Sequence, residues 1–150
     1  AAVRSAARRG GLTLAVAGVN HLPAADGSCD GVLNLFAPCC EGEFARVLRP
    51  GGVLIRGVPR ERHLWGLKAA LYDKPYLNPP VDETLSGFAL VSRLDVDGEI
   101  DLRSAADVHN LFLMTPYYYK TGAVDQEKLA ALTTLRTEIR FAVLAYRKKC

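Results

Sequence analysis

Three short polar segments stand out, because each closes a run of aliphatic residues. Asn20-His21 follows "LTLAVAG", Leu12 to Gly18, with Val19 between. Phe36, Ala37 and Pro38 close "GVLNLFAP", Gly31 to Pro38. Arg60, Arg62 and His63 follow "VLIRGV", Val53 to Val58. A neutral imidazole offers one hydrogen-bond donor and one acceptor, so His63 suits a binding contact that moves no proton. The alternative is a histidine that opens a helix and bonds local backbone. Arginines at Arg60 and Arg62 could meet phosphate, with plain solvated charge as the alternative. Asn20 and His21 fit either ligand contact or ordinary loop polarity, and Phe36 and Pro38 fit either a substrate wall or strand termination.

These segments need elements to hold them. The aliphatic runs are short and continuous, which predicts buried strands. Between the second and third, "EGEFARVL" puts Phe44, Val47 and Leu48 on one helical face, and Pro50-Gly51-Gly52 ends that helix. Strand and helix in quick alternation predict an α/β fold with a mostly parallel sheet and crossover helices. In such sheets ligands bind beyond the carboxyl ends of the strands, where the three polar segments fall. "AAVRSAARR" reads as helix ended by Gly10-Gly11, and "PAADGS" as a turn. Further on, Leu64, Leu67 and Leu71 predict a helix reaching about Tyr72. "GFALVSRL" predicts a strand, with a turn at Asp97-Gly98. Ser104 and Asp107 predict a helix start, Gln126 to Arg136 a helix, and "EIRFAVLAYRKK" a last strand.

The 150 residues suffice for about one domain. Hydrophobic residues make up 49% and charged residues 23%, ordinary usage for a soluble globular chain. No apolar run is long enough to span a bilayer and no secretory pattern opens the chain, so a cytoplasmic location is expected. The net charge of +3 permits a polyanionic partner without requiring one. Cys29, Cys39, Cys40 and Cys150 lack metal-ligand spacing, so no metal is expected and they read as small reduced residues. Asp26 and Asp30 read as turn and strand-opening residues. Tyr117, Tyr118 and Tyr119 could stack on bases or fill a core. Arg8-Arg9 and Arg147-Lys148-Lys149 could touch phosphates.

The run "HLPAADGSCDGVLNLFAP…EFARVLRPGGVLIRGVP" resembles the middle of class I S-adenosylmethionine-dependent methyltransferases. The matching residues are Leu22-Pro23-Ala24, Asp26, Ser28, Cys29-Asp30 and Leu48-Arg49-Pro50-Gly51-Gly52. Three further pieces, "LFAPC", "PRERHLWGLK" and "LMTPYYYK", are similar to the large-subunit (23S) ribosomal RNA guanine-N1 methyltransferases. That group includes enzymes conferring resistance to tylosin-type macrolides. The resemblance implies a Rossmann-like sheet, S-adenosyl-L-methionine as methyl donor, and ribosomal RNA as partner, with no membrane and a homodimer left open. It implies donor contacts from His63, Gly18, Val19, Asn20, His21 and Ala37. It implies substrate contacts from Phe36, Pro38, Arg60, Arg62 and Tyr117. No residue is assigned as the proton acceptor. A methyltransferase for a small metabolite, or a domain kept only for RNA binding or interaction, fits the core motifs as well.

The family's upstream zinc module, its Gly-rich donor loop and its acidic ribose-binding residue have no counterpart in the chain. The expectation is therefore a partial methyltransferase domain over residues 1–150, lacking the first two strands. Leu12–Gly18 would then have no neighbour to pair with. We expect the 150 residues alone to fold poorly and to be inactive; a cooperative, high-temperature melt of this segment by itself would contradict that.

Overall fold

The computed structural model describes residues 6–8 and 10–149. The elements, in chain order, are β1 (Cys29–Leu35), α1 (Glu41–Val47), β2 (Leu48–Pro59), α2 (Trp65–Leu71), β3 (Phe88–Leu102), α3 (Ala105–Leu113), α4 (Ala123–Ala130) and β4 (Leu135–Lys148). The strands form one sheet in the order β1-β2-β4-β3. Gly27, Asp30 and Gly31 lie beside Arg49, Gly52 and Val53, rising together, so β1 and β2 are parallel and α1 is their crossover. β4 runs against both its neighbours. Its Arg140 and Arg147 meet Arg60 and Gly51 of the β2 segment in falling order. Its Arg136 and Lys149 meet Glu99 and Gly87 of the β3 segment likewise. The sheet is thus mixed, in an α/β chain with the expected crossover.

The chain divides into two compact units. The first comprises Ala1–Arg56, Glu83–Ser92 and Leu144–Cys150. Its core holds Phe44, Val47, Leu48, Leu54, Phe88, Leu144 and Tyr146. Phe44 and Val47 are the apolar face of α1, as their spacing requires. The Lys148 ammonium donates to the Ala45 and Leu48 carbonyls at 2.6 and 2.7 Å, satisfying the acceptors that the end of α1 leaves open. Gly51, at φ +70°, bends the chain in the left-handed region near the start of β2.

The second unit comprises Gly57–Asp82 and Arg93–Val143. Its core joins Leu64, Leu67 and Leu71 to Val108, Phe112, Tyr117 and Leu129. A seven-residue helix such as α2 is too short to stand alone, so packing must hold it. Full burial of Leu67 and Leu71 contributes roughly 1.5–3 kcal/mol each. No side chain of its own caps α2; β4 does so instead. Glu138 Oε2 accepts from the Gly66 N–H at 3.0 Å and Thr137 Oγ1 from the Leu67 N–H at 3.3 Å. Ser104 caps α3 as predicted, accepting from the Asp107 N–H at 3.1 Å. Along β3 the acids Asp95, Asp97, Glu99 and Asp101 recur every second residue and so share a face. Arg60 and Arg140 both reach Asp97, Arg93 reaches Asp95, and Arg136 reaches Glu99.

Four expectations are corrected. Leu12–Gly18 is in no strand, and Leu12 and Val16 are exposed; among the described residues nothing pairs with it, and without a ladder an aliphatic run has no reason to stay extended in a sheet. β3 runs straight through Asp97-Gly98 to Leu102, because pairing with β4 continues on both sides and Arg60 and Arg140 hold Asp97 in the strand. The last helix ends at Ala130, and Leu135-Arg136 already belong to β4. Arg49 to Gly52, expected as a connection, lies within β2. The helix expected over residues 1–9 lies largely outside the described residues.

Gly66 shows how closely α2 seats on β4. A Cβ there would stand 2.3 Å from the Arg136 carbonyl oxygen and 3.0 Å from Thr137 Cα. Both are backbone atoms that cannot swing aside. We predict that Gly66→Ala, despite alanine's better helix propensity, destabilises the full-length product by about 2 kcal/mol. Denaturant titration measures this; a neutral or stabilising result would mean that α2 shifts freely on β4.

Candidate functional site

In the first unit, the segment Gly18–Ser28 has little regular structure and depends on α1 for its shape. The Arg46 guanidinium is the organising group. It donates to the Leu22 carbonyl at 3.1 Å, the Ala24 carbonyl at 2.9 Å and the Asp26 carboxylate at 2.6 Å. Glu43 braces it with bonds of 2.9 and 2.6 Å and also accepts from the Leu22 N–H at 2.6 Å. Planar, multi-donor geometry is what arginine offers over lysine here. The two halves of the sequence motif, "LPAADGSCD" and "EFARVLRPGG", are therefore physically one piece. Just before the clamped segment, His21 N–H closes a turn on the Gly18 carbonyl at 3.0 Å. Gly18 has open space where a side chain would be, and Asn20 and His21 are exposed beside it.

At the end of β1 the backbone is strained. Phe36 sits at φ +51°, a left-handed conformation that costs a bulky residue of the order of 1–3 kcal/mol. Ala37 and Pro38 follow, exposed. The buried Asn34 donates to the Pro38 carbonyl at 3.0 Å and fixes this bend. Asp26 and Asp30 pair with Arg46 and Arg49, both at 2.6 Å, which accounts for them structurally. Partial burial raises the Cys39 thiol pKa, which disfavours a reactive thiolate.

In the second unit, the chain leaves β2 at Arg60 and turns into α2. Arg60 still pairs with β4, its N–H donating to the Arg140 carbonyl at 2.9 Å. The Arg140 N–H can no longer find a β2 carbonyl, and the His63 ring takes that place, Nδ1 accepting at 3.1 Å. His63 thus caps a strand from the side, a non-local bond that differs from the local one considered above. Phe141 meets the ring edge-on at 6.3 Å. Burial lowers the His63 pKa, and the nearby Lys68 charge acts in the same direction. A neutral ring that accepts at Nδ1 carries its proton on Nε2. Leu64, at φ +56°, is the second strained non-glycine residue among those described, again where a strand hands over to a loop.

The neighbouring cations are engaged. Arg60 binds Asp97 at 2.9 Å and is only 22% exposed. Arg62 lies 4.7 Å over the Trp65 ring and 3.2 Å from Glu138, yet stays 49% exposed. At Glu138 burial works against ionisation, but hydrogen bonds from backbone and from Arg62 outweigh it and lower the pKa. Tyr117 is buried against Tyr72, and burial pushes its hydroxyl up to about 12. Tyr119, 85% exposed, is the most accessible ring of the three. Arg147 and Lys148 donate to backbone carbonyls, and Arg9 lies outside the described residues. A cleft of about 490 Å³ between α3 and α4, lined by Ala105, His109, Phe112 and Gln126 among others, contains none of the residues singled out in the sequence.

Sequence reasoning overlooked Asn34, Glu43, Arg46, Lys68 and Asn78. Two had a signal. Glu43 and Arg46 stand three apart on one helix, the spacing of an ion pair. Lys68 falls within the buried stripe of α2, where a lysine needs explaining.

Arg46, followed by the Leu22 N–H, holds the Glu43 pKa down from its ordinary 4.5 to about 2. A depressed carboxyl contributes stability that is complete above its unfolded pKa and lost as pH falls through the folded one. Stability should therefore decline from pH 4.5 toward 2, and Glu43→Gln should flatten that decline while making the Leu22 amide exchange faster at neutral pH. Acid titration of both proteins with amide exchange measures this. Identical acid profiles would remove Arg46–Glu43 as the clamp.

No family model matches the chain. It is 36% identical over 109 residues to a Bacillus subtilis (strain 168) protein provisionally named 23S rRNA (guanine-N(1)-)-methyltransferase YxjB, a match covering 70% of this chain and 39% of that protein. It is 46% identical over 72 residues to the 23S rRNA (guanine(748)-N(1))-methyltransferase of Streptomyces fradiae, covering 47% of this chain and 26% of that one. The matches thus span less than half the length of either relative. Among solved structures, a Bacillus halodurans protein provisionally described as a methyltransferase aligns with 13% identity and a TM-score of 0.47, over 89% of this chain and 70% of that one. The MccD protein aligns with 18% identity and a TM-score of 0.42, over 89% and 66%. Over the part of their length that it spans, the chain is thus similar in sequence to proteins named 23S rRNA guanine-N1 methyltransferases.

Proposed function

We propose that the protein transfers a methyl group from S-adenosyl-L-methionine to N1 of a guanine in large-subunit ribosomal RNA. The observation that carries this reading is the sequence relation to two proteins bearing that name. The donor supplies an activated methyl group on a sulfonium, an intrinsically good leaving group, so alignment is the main demand on the protein.

The residues of each unit fit parts of that task. In the first, the Gly18–His21 turn has room beside Gly18 for a flat ring, with Val19 as an apolar wall and Asn20 and His21 as polar contacts. Ala37 is assigned to the donor, and Phe36 and Pro38 to the target guanine; the strained bend at Phe36 is the kind of backbone that persists where function demands it. In the second unit, His63 is assigned to the donor through Nε2–H, a tautomer that Arg140 enforces at the other nitrogen. Arg62 is exposed enough to reach phosphate. Arg60 would have to loosen from Asp97 first, and Tyr119 is better placed than Tyr117 to stack on an unpaired base.

The test is donor-dependent methylation of 23S RNA from cells lacking the modification, using the full-length product. We expect 1-methylguanine in the RNA, and at least a tenfold loss of kcat/KM with His63→Ala, equivalent to about 1.4 kcal/mol of transition-state stabilisation. Methylation of small metabolites but not RNA would replace the substrate assignment. Absence of donor binding in calorimetry would replace catalysis with a binding role.

A further inference from the structure

Lys68 is a charged side chain with no exposed surface, and among the described residues no carboxylate pairs with it. Burial lowers its pKa. Its ammonium donates to the Tyr76 carbonyl at 2.9 Å and to Asn78 Oδ1 at 2.7 Å. It also lies 4.4 Å over the Tyr76 ring and 5.5 Å from that of Tyr117. Burying an ammonium costs several kcal/mol unless such partners offset it. A leucine would fill the α2 stripe without that cost, so the charge calls for a reason beyond packing.

The reason is visible in what Asn78 does with its other groups. With Oδ1 fixed by the ammonium, its Nδ2 is turned to the Arg60 carbonyl at 2.8 Å, and its backbone N–H donates to the Glu61 carbonyl at 2.8 Å. The Arg60 carbonyl is also the acceptor for the His63 N–H at 3.0 Å. Lys68, Asn78, Arg60 and His63 are thus linked in one chain of hydrogen bonds, which ends at the turn whose ring caps Arg140. An amide oriented by an ammonium cannot flip its donor and acceptor ends.

We infer that Lys68, acting through Asn78, is a positioning residue that sets the turn carrying His63. The latch explains why "DKPYLNPP", a proline-rich loop without regular structure, lies against that turn. It fixes the orientation of the His63 ring before any ligand arrives, so that binding need not order it. Its catalytic consequence rests on the donor-contact role proposed above for His63; its structural consequence does not.

The experiment uses Asn78→Ala, Lys68→Met and the double variant in the full-length product. Two readouts are taken: the ¹⁵N signals of His63 with exchange of the Arg140 amide, and KM for the donor against kcat. We expect either single change to speed Arg140 exchange about tenfold and to mix the His63 tautomers. We expect the donor KM to rise about tenfold with kcat within about threefold of wild type. The double variant should be no worse than the poorer single one, because both cut the same chain. Additive effects, or an unchanged His63 spectrum in Asn78→Ala, would overturn the latch. If Lys68→Met does not fold, Asn78→Ala alone decides by the same spectrum. Altered spectra in a protein that transfers no methyl group would leave the latch standing and sink the methyltransferase reading. Altered spectra with an unchanged donor KM would keep the latch and remove His63 from the donor site.

Discussion

A guanidinium that makes bonds to two carbonyls and two carboxylates is the constraint on which the first unit depends. Arg46 cannot satisfy that many acceptors unless the Leu22–Asp26 segment curls around it, and the segment has no secondary structure to shape it otherwise. The clamp substitutes for a ladder. Irregular backbone needs partners for its polar groups as much as a strand does, and here α1, already anchored by Phe44 and Val47 in the core, supplies them. Rigidity passes from apolar burial, through a helix, to a loop that has little burial of its own.

The second unit solves the same problem at the end of β2. Once the chain turns away from the sheet, Arg140 is left with a backbone donor and no strand opposite. An imidazole fills the gap. The two capping side chains from β4, Thr137 and Glu138, do the reciprocal service for α2. Helix, strand end and turn are each incomplete alone, and each closes another's open hydrogen bonds. That reciprocity also explains why the positive φ at Leu64 is tolerated: its N–H is held by the Glu138 carbonyl at 2.8 Å, and its side chain is buried.

How much of this could be read beforehand depended on the range of the interaction involved. The crossover helix was legible because Phe44 and Val47 repeat at helical spacing and Pro50-Gly51-Gly52 follow. The start of α3 was legible because Ser104 and Asp107 act within one turn. Asp97-Gly98 looked like a turn because the local signal is strong, and it is strand because Arg60 and Arg140, both distant in sequence, hold Asp97 in the sheet. Leu12–Gly18 looked like a strand because composition reports preference, while pairing requires a partner. His63 stood out for its place after the strand, but its bond to Arg140 crosses 77 positions and leaves no local trace. Lys68 was passed over because leucines at 64, 67 and 71 defined the face so well that the lysine between them drew no notice.

The alternating acids of β3 have a consequence for the chain's behaviour among its own kind. Fifteen residues of strand at a sheet's rim ordinarily invite another molecule to zip alongside. Here any incoming strand would have to lie against a dense row of fixed charges already matched to internal counter-ions. Such a row accepts water readily and surrenders it at a high cost. The β3 rim is thereby kept solvated, and along that edge crowded copies meet a poor seam on which to join.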